Sequence, residues 1–204
     1  MAITVYNLLK EVGLNPTNLK RVRWGERFTC QEIGIYIIST SCDASEDRKL
    51  YSLAPIDEKI LAFWLNKVSC LQLDNKRPSI QELKKRLTDF GLPDENILYI
   101  GQTENTLAKR VSQYYTTELG DAKPHAGGHW IKTLKILHDL WVYYIPCSSP
   151  KEKEEQLLAC FGKQVSKDSL QGLPDKNLVL PFANLELSRG RRKMHGIRSS
   201  TLKK

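Results

Sequence analysis

The sequence of 204 residues contains no CxxC pair, and no apolar run approaches the ~18 residues that suggest a membrane span. Met1–Asn7 shows no basic-then-apolar leader pattern. The five cysteines (Cys30, Cys42, Cys70, Cys147, Cys160) are an odd, scattered set, as expected of free thiols in a reducing compartment. A secreted disulfide scaffold and a membrane protein are thereby set aside, and a cytoplasmic location is expected. No GxxxxGK[ST], GxGxxG or Gly-x-Ser-x-Gly occurs, so P-loop, Rossmann and nucleophile-elbow chemistries have no support. No repeat or low-complexity stretch interrupts the chain.

What is present is an ordinary globular composition, 41% apolar and 26% charged, with a net charge of +8. The positive excess is concentrated at one end. From Glu186 onward there is one acid against seven bases: Arg189, Arg191, Arg192, Lys193, Arg198, Lys203 and Lys204. Such a block reads as a solvated, mobile arm or as a strip that lies along a phosphate backbone.

Local patterns give an α/β (α+β) reading. A short helix is expected over 4–12, and the stretch Leu19–Trp24 reads as basic loop. Residues 33–40 form a strand pattern dense in Ile and Tyr. Leu61, Trp64, Leu65 and Val68 recur at helical spacing, which predicts a helix over 56–69. Ser79 and Glu82 make a capping box for a helix that ends at Gly91 and Pro93. A second strand is expected at 97–100, a helix at 105–115, a further helix at 129–138 and a third strand at 140–145. Ser149 and Glu152 read as another capping box around Pro150, with the helix running to about residue 165. The expected fold is a small three-stranded antiparallel sheet flanked by helices, with a helical insertion between its first two strands.

Two charged residues stand on apolar faces. Leu107, Val111 and Tyr114 define one helical stripe, and Arg110 lies within about 60° of Leu107. A guanidinium keeps its proton, so burying it demands an anionic partner. Glu154 shares a face with Leu157, Leu158 and Phe161, whereas Glu155 is about 100° round. From these two residues alone, a plain Arg110–Glu154 ion pair competes with a carboxylate that holds a hard divalent cation. Tyr36 and Tyr99 each sit in an apolar strand beside glycine, and each also fits a core aromatic whose hydroxyl is satisfied.

Taken in order, Gly34-Ile35-Tyr36, Tyr99-Ile100-Gly101, Arg110, Glu154 and Asn184 resemble the GIY-YIG nuclease superfamily over about residues 33–185. The resemblance implies hydrolysis of DNA phosphodiesters with Mg²⁺ (or Mn²⁺) held by Glu154. It further implies Tyr36 as general base, Tyr99 positioning water or phosphate, Arg110 stabilising phosphate charge and Asn184 in support. The corresponding division is an N-terminal extension (1–32), a nuclease-like domain (33–185, with 41–95 inserted) and a basic tail (186–204). Tyr114 occupies a position where many members carry histidine. His125 and His129 are candidates to replace it near the phosphate, or else belong to a solvent-facing loop; with Gly127-Gly128 between them they do not read as a zinc site. DNA contacts are expected from Arg189, Arg191, Arg192 and Lys193, with Arg21 and Arg23 as further candidates. A non-catalytic nucleic-acid-binding module that keeps the same fold is the competing reading.

Overall fold

The computed structural model describes residues 3–46, 54–121, 123–124 and 128–198. The chain runs through α1 (Val5–Glu11), β1 (Lys20–Arg23), β2 (Gly34–Ser39), α2 (Glu58–Lys67), β3 (Gln72–Leu73), α3 (Ile80–Asp89), β4 (Ile97–Thr103) and α4 (Leu107–Thr116). It continues through β5 (Trp141–Pro146), α5 (Pro150–Gln164), α6 (Lys167–Gln171), β6 (Glu186–Ser188), β7 (Arg191–Arg192) and β8 (Ile197–Arg198). Helix and strand are mixed, as expected of an α+β chain. Among the described residues no helix is long and apolar enough to cross a membrane.

The main sheet has four strands, not three, in the order β1-β5-β2-β4, and every pairing is antiparallel. The added strand is β1, within the stretch expected to be loop. Its sequence, Lys20-Arg21-Val22-Arg23, carries one apolar side chain, so no alternation marks it as strand. Pairing with Trp141–Tyr144 makes it an edge strand, where charged side chains face water and blunt further pairing. Arg21 and Arg23 both lie over the Trp141 ring, at 5.3 and 5.4 Å.

β2 is central and all six of its residues are buried. Gly34 is required there by contact: a Cβ would stand 2.2 Å from the Ile145 carbonyl oxygen and 3.0 Å from Leu107. The glycine thus lets β5 and α4 close on the start of the strand. α4 is set against the same point, because its first two amides donate to the carbonyls of Glu32 and Cys30. Thr106 caps it through the Lys109 amide, and Leu107, Val111 and Tyr114 form its buried stripe. α5 packs on β4 and β2 through Leu157, Leu158 and Phe161, and α1 packs on α5.

The capping box at Ser79 and Glu82 forms in both directions. The one at Ser149 does not. Ser149 has φ −131° and ψ 64°, outside the usual cap geometry, and its side chain makes no cap bond; the helix starts on Pro150. The expected helix at 129–138 is two short 3₁₀ turns, His129–Thr133 and Leu137–Asp139. Backbone bonds to the inserted segment tie that stretch down: Asp57 N–H donates to the Thr133 carbonyl, and Lys135 N–H to that of Pro55.

The basic end is folded as far as Arg198 rather than a solvated arm. β6 and β7 pair as a hairpin, and β8 pairs with β3 of the insertion, Leu73 opposite Ile197. Lys193 is only 4% exposed. Its Nζ donates to the carbonyls of Pro181 and Phe182 and lies 5.5 and 5.4 Å from the rings of Phe90 and Trp130. Burial pulls its pKa down to about 7. Lys193 is therefore an internal strut and not the surface DNA contact expected from the charge run. Lys203 and Lys204 lie outside the described residues.

Candidate active site

The sheet register assembles the site. Tyr36 stands directly opposite Gly101, and Ile38 opposite Tyr99, so both tyrosines and the glycine share one face. A Cβ on Gly101 would lie 2.5 Å from the Tyr36 ring and 2.7 Å from that of Tyr99. The glycine is therefore the space into which the two phenols fold. Their ring centroids are 5.9 Å apart, and Tyr114 of α4 completes a three-ring cluster, 5.4 Å from Tyr99 and 6.4 Å from Tyr36.

Arg110 and Glu154 meet at this cluster. Burial pushes the Tyr36 phenol up to about 12. The Arg110 guanidinium and hydrogen bonds from Tyr99 and Arg110 oppose that shift, and the Glu154 charge adds to it. Tyr99 is held well above its ordinary range by burial, with Tyr36, Tyr114 and Glu154 adding to the effect. Glu154 is pushed up to about 7 by desolvation, which Arg110 and the Gln102 backbone N–H partly offset. Side chains from β2, β4, α4 and α5 thus converge on Tyr36, which feels Tyr99, Arg110 and Glu154 alike.

The plain ion pair is not formed. Among the described residues Glu154 makes no ion pair within 4 Å, and the Arg110 guanidinium reaches only the Pro124 carbonyl at 3.4 Å, apart from its bond to Tyr36. Carboxylate and guanidinium both act on the same phenol and on each other without closing into an ion pair.

Asn184 supports the site through β4, the edge strand. Its Oδ1 accepts from the Ile100 N–H at 2.8 Å and its Nδ2 donates to the Ile100 carbonyl at 2.7 Å. The Ala183 N–H donates to the Leu98 carbonyl, and the Gln102 N–H donates to Glu154. The outward backbone groups at three alternate positions, 98, 100 and 102, are thereby paired by 183–184 and α5 instead of by another strand.

The remaining expected residues do not all reach the site in the way foreseen. Tyr114 is fully buried and donates its hydroxyl to the Gly128 carbonyl, so it packs the phenol cluster and does not face outward. His129 is half-buried at the start of a 3₁₀ turn and within the field of Asp121. His125 lies outside the described residues. Arg189, Arg191 and Arg192 are exposed on the β6–β7 hairpin. One residue escaped the sequence reading: Lys132 is half-buried 5.9 Å from the Tyr114 ring, and it donates to the carbonyls of Tyr115 and Thr117. Desolvation pulls it down to about 8. A lone lysine in a stretch that reads as amphipathic helix carries no signal of this.

No family model, curated protein or solved structure matches the chain significantly.

The donor set can be tested against a divalent cation. No group of three or more His, Cys, Asp or Glu suited to a metal occurs among the described residues. A soft, closed site is thus unsupported. A hard cation that keeps most of its waters and shares a substrate phosphate needs only one or two carboxylates. Glu154 fits that demand. It is an oxygen donor desolvated to the point of half-ionisation near neutral pH, with no cation in ion-pair contact.

Proposed function

We propose that the chain is an endonuclease of the GIY-YIG type that hydrolyses DNA phosphodiester bonds. The observation that supports this most is the unpaired arrangement of Glu154 and Arg110 around Tyr36. A structural bridge would close that gap, whereas a phosphate and its counter-cation fit between separated charges.

In this reading Glu154 holds Mg²⁺ (or Mn²⁺), which when bound supplies positive charge to the phosphate oxygens. Arg110 donates to the same phosphate and stabilises the charge that develops as water attacks. Tyr36 accepts the proton of the attacking water. Its phenol is neutral at pH 7 as the protein stands, so this role requires added positive charge beside it. Tyr99 holds the Tyr36 hydroxyl through their hydrogen bond and orients it toward the phosphate. Asn184 keeps β4 straight beneath Tyr99 and has no part in the chemistry.

The elevated Tyr36 pKa favours a second reading, a module that binds nucleic acid without cutting it. Incubating supercoiled plasmid with the protein in Mg²⁺, Mn²⁺ or EDTA separates the two. Nicking that needs the cation and is lost in Tyr36→Phe supports the nuclease. Intact plasmid in every cation supports the binding module.

A further inference from the structure

The β6–β7 hairpin has a construction that charge alone does not explain. Glu186 pairs opposite Arg192 and Ser188 opposite Arg191, with a bulge between the two pairs. Gly190 turns the chain at φ +86°, and its N–H donates to the Glu186 carboxylate at 3.2 Å. The same carboxylate lies 3.7 Å from Arg192. The sole acid of the ribbon is therefore spent on its own turn and on one arginine. Arg189 and Arg191 are left as exposed cations at the tip, and Met194, 77% exposed, stands just beyond.

The base of the ribbon is held rigidly. Leu187 packs on the core, β6 contacts α5, and the Lys193 N–H donates to the Leu185 carbonyl at 2.8 Å. Buried Lys193 pins the carbonyls just ahead of Asn184. The ribbon thus continues directly from the segment that clamps Ile100 and packs against the helix that carries Glu154.

Resting on the nuclease reading, we propose that this ribbon enters a groove of double-stranded DNA and contacts it through Arg189 and Arg191. Two strands spaced about 4.8 Å apart, with their side chains, fit a major groove about 12 Å wide. Arginine at the tip can contact phosphate or pair bidentately with guanine. Arg189 stands five positions beyond Asn184. At about 3.5 Å per residue the tip lies no more than about 30 Å from Gln102, less than one turn of duplex. The contacts are therefore close to the bond that is cut.

The test is fluorescence anisotropy in EDTA, which reads binding without cleavage, on a labelled duplex, the matching single strand and an RNA hairpin. The double variant Arg189→Ala/Arg191→Ala loses duplex affinity about tenfold or more, and its log–log salt slope falls by about 2. Arg189→Lys/Arg191→Lys restores the slope, which separates lost charge from a lost fold. Duplex binding by the alanine pair at wild-type affinity overturns the proposal, as does tighter wild-type binding to the single strand or the RNA. Ribbon-dependent duplex binding by a protein that never nicks plasmid in Mg²⁺ leaves the ribbon standing and removes the nuclease instead.

Discussion

The carboxamide of Asn184 grips both backbone groups of Ile100, accepting from its N–H at 2.8 Å and donating to its carbonyl at 2.7 Å. Ile100 lies between Tyr99 and Gly101 on the edge strand, and this one side chain does there what a neighbouring strand would do. Asn184 is only 5% exposed, so water cannot easily replace it. Asn184→Ala leaves two buried backbone groups unpaired and should cost about 2–4 kcal/mol, measured by urea denaturation. A loss under about 0.5 kcal/mol would show that the edge is held by something else.

Gly101→Ala should be more damaging than a methyl group ordinarily is. The added Cβ meets the Tyr36 ring at 2.5 Å and the Tyr99 ring at 2.7 Å, and both phenols are buried. Overpacking of this kind costs about 1–3 kcal/mol. Near-UV circular dichroism should report the displaced tyrosines. An unchanged aromatic spectrum with unchanged stability would contradict the packing described.

Glu154 should make stability depend on pH. Its carboxyl is raised from 4.5 to about 7 in the folded chain, so folding favours the neutral form. The associated stability is fully present below about 4.5 and is lost as pH rises to about 7. Glu154→Gln should gain on the wild type in thermal denaturation across that window, with a constant difference on either side. Adding Mg²⁺ above pH 7 should recover the loss in the wild type and leave the variant unmoved. Parallel pH profiles for the two proteins would remove Glu154 from the buried site.

His195 predicts the opposite trend at acid pH. Its imidazole is lowered to about 4 by desolvation and by the charges of Lys193, Arg192 and Arg86, and its ring stands edge-on to Trp130 at 5.3 Å. The stability it contributes is present above about 6.5 and lost as pH falls through about 4. His195→Phe should flatten the acid limb of the stability curve, read by the midpoint of acid denaturation. An unshifted midpoint would place the acid sensitivity elsewhere.

The sequence was most legible where one face decides an element. The stripes of α4 and α5 are there, and Arg110 and Glu154 were visible because each interrupts an apolar stripe. Tyr36 and Tyr99 were legible as strand residues beside glycine, but their shared face follows from register, which only the paired strands reveal. β1 was missed because an edge strand needs no alternation. The basic end was misread because its order comes from distant partners: β3 for β8, and the Phe90 and Trp130 rings for Lys193. A run of like charge carries no sign that one of its members turns inward. The 3₁₀ turns at 129–139 look helical by spacing, yet the Thr133 carbonyl accepts from the Asp57 N–H and the Lys135 N–H donates to the Pro55 carbonyl, so groups a helix would use are taken by the inserted segment.

The most direct test of the proposed chemistry compares wild-type protein with Glu154→Ala on supercoiled plasmid in Mg²⁺, with duplex binding measured in parallel. The account predicts nicking by the wild type, none by the variant and equal binding by both. Near-normal nicking by Glu154→Ala would contradict the cation site on which the proposal stands.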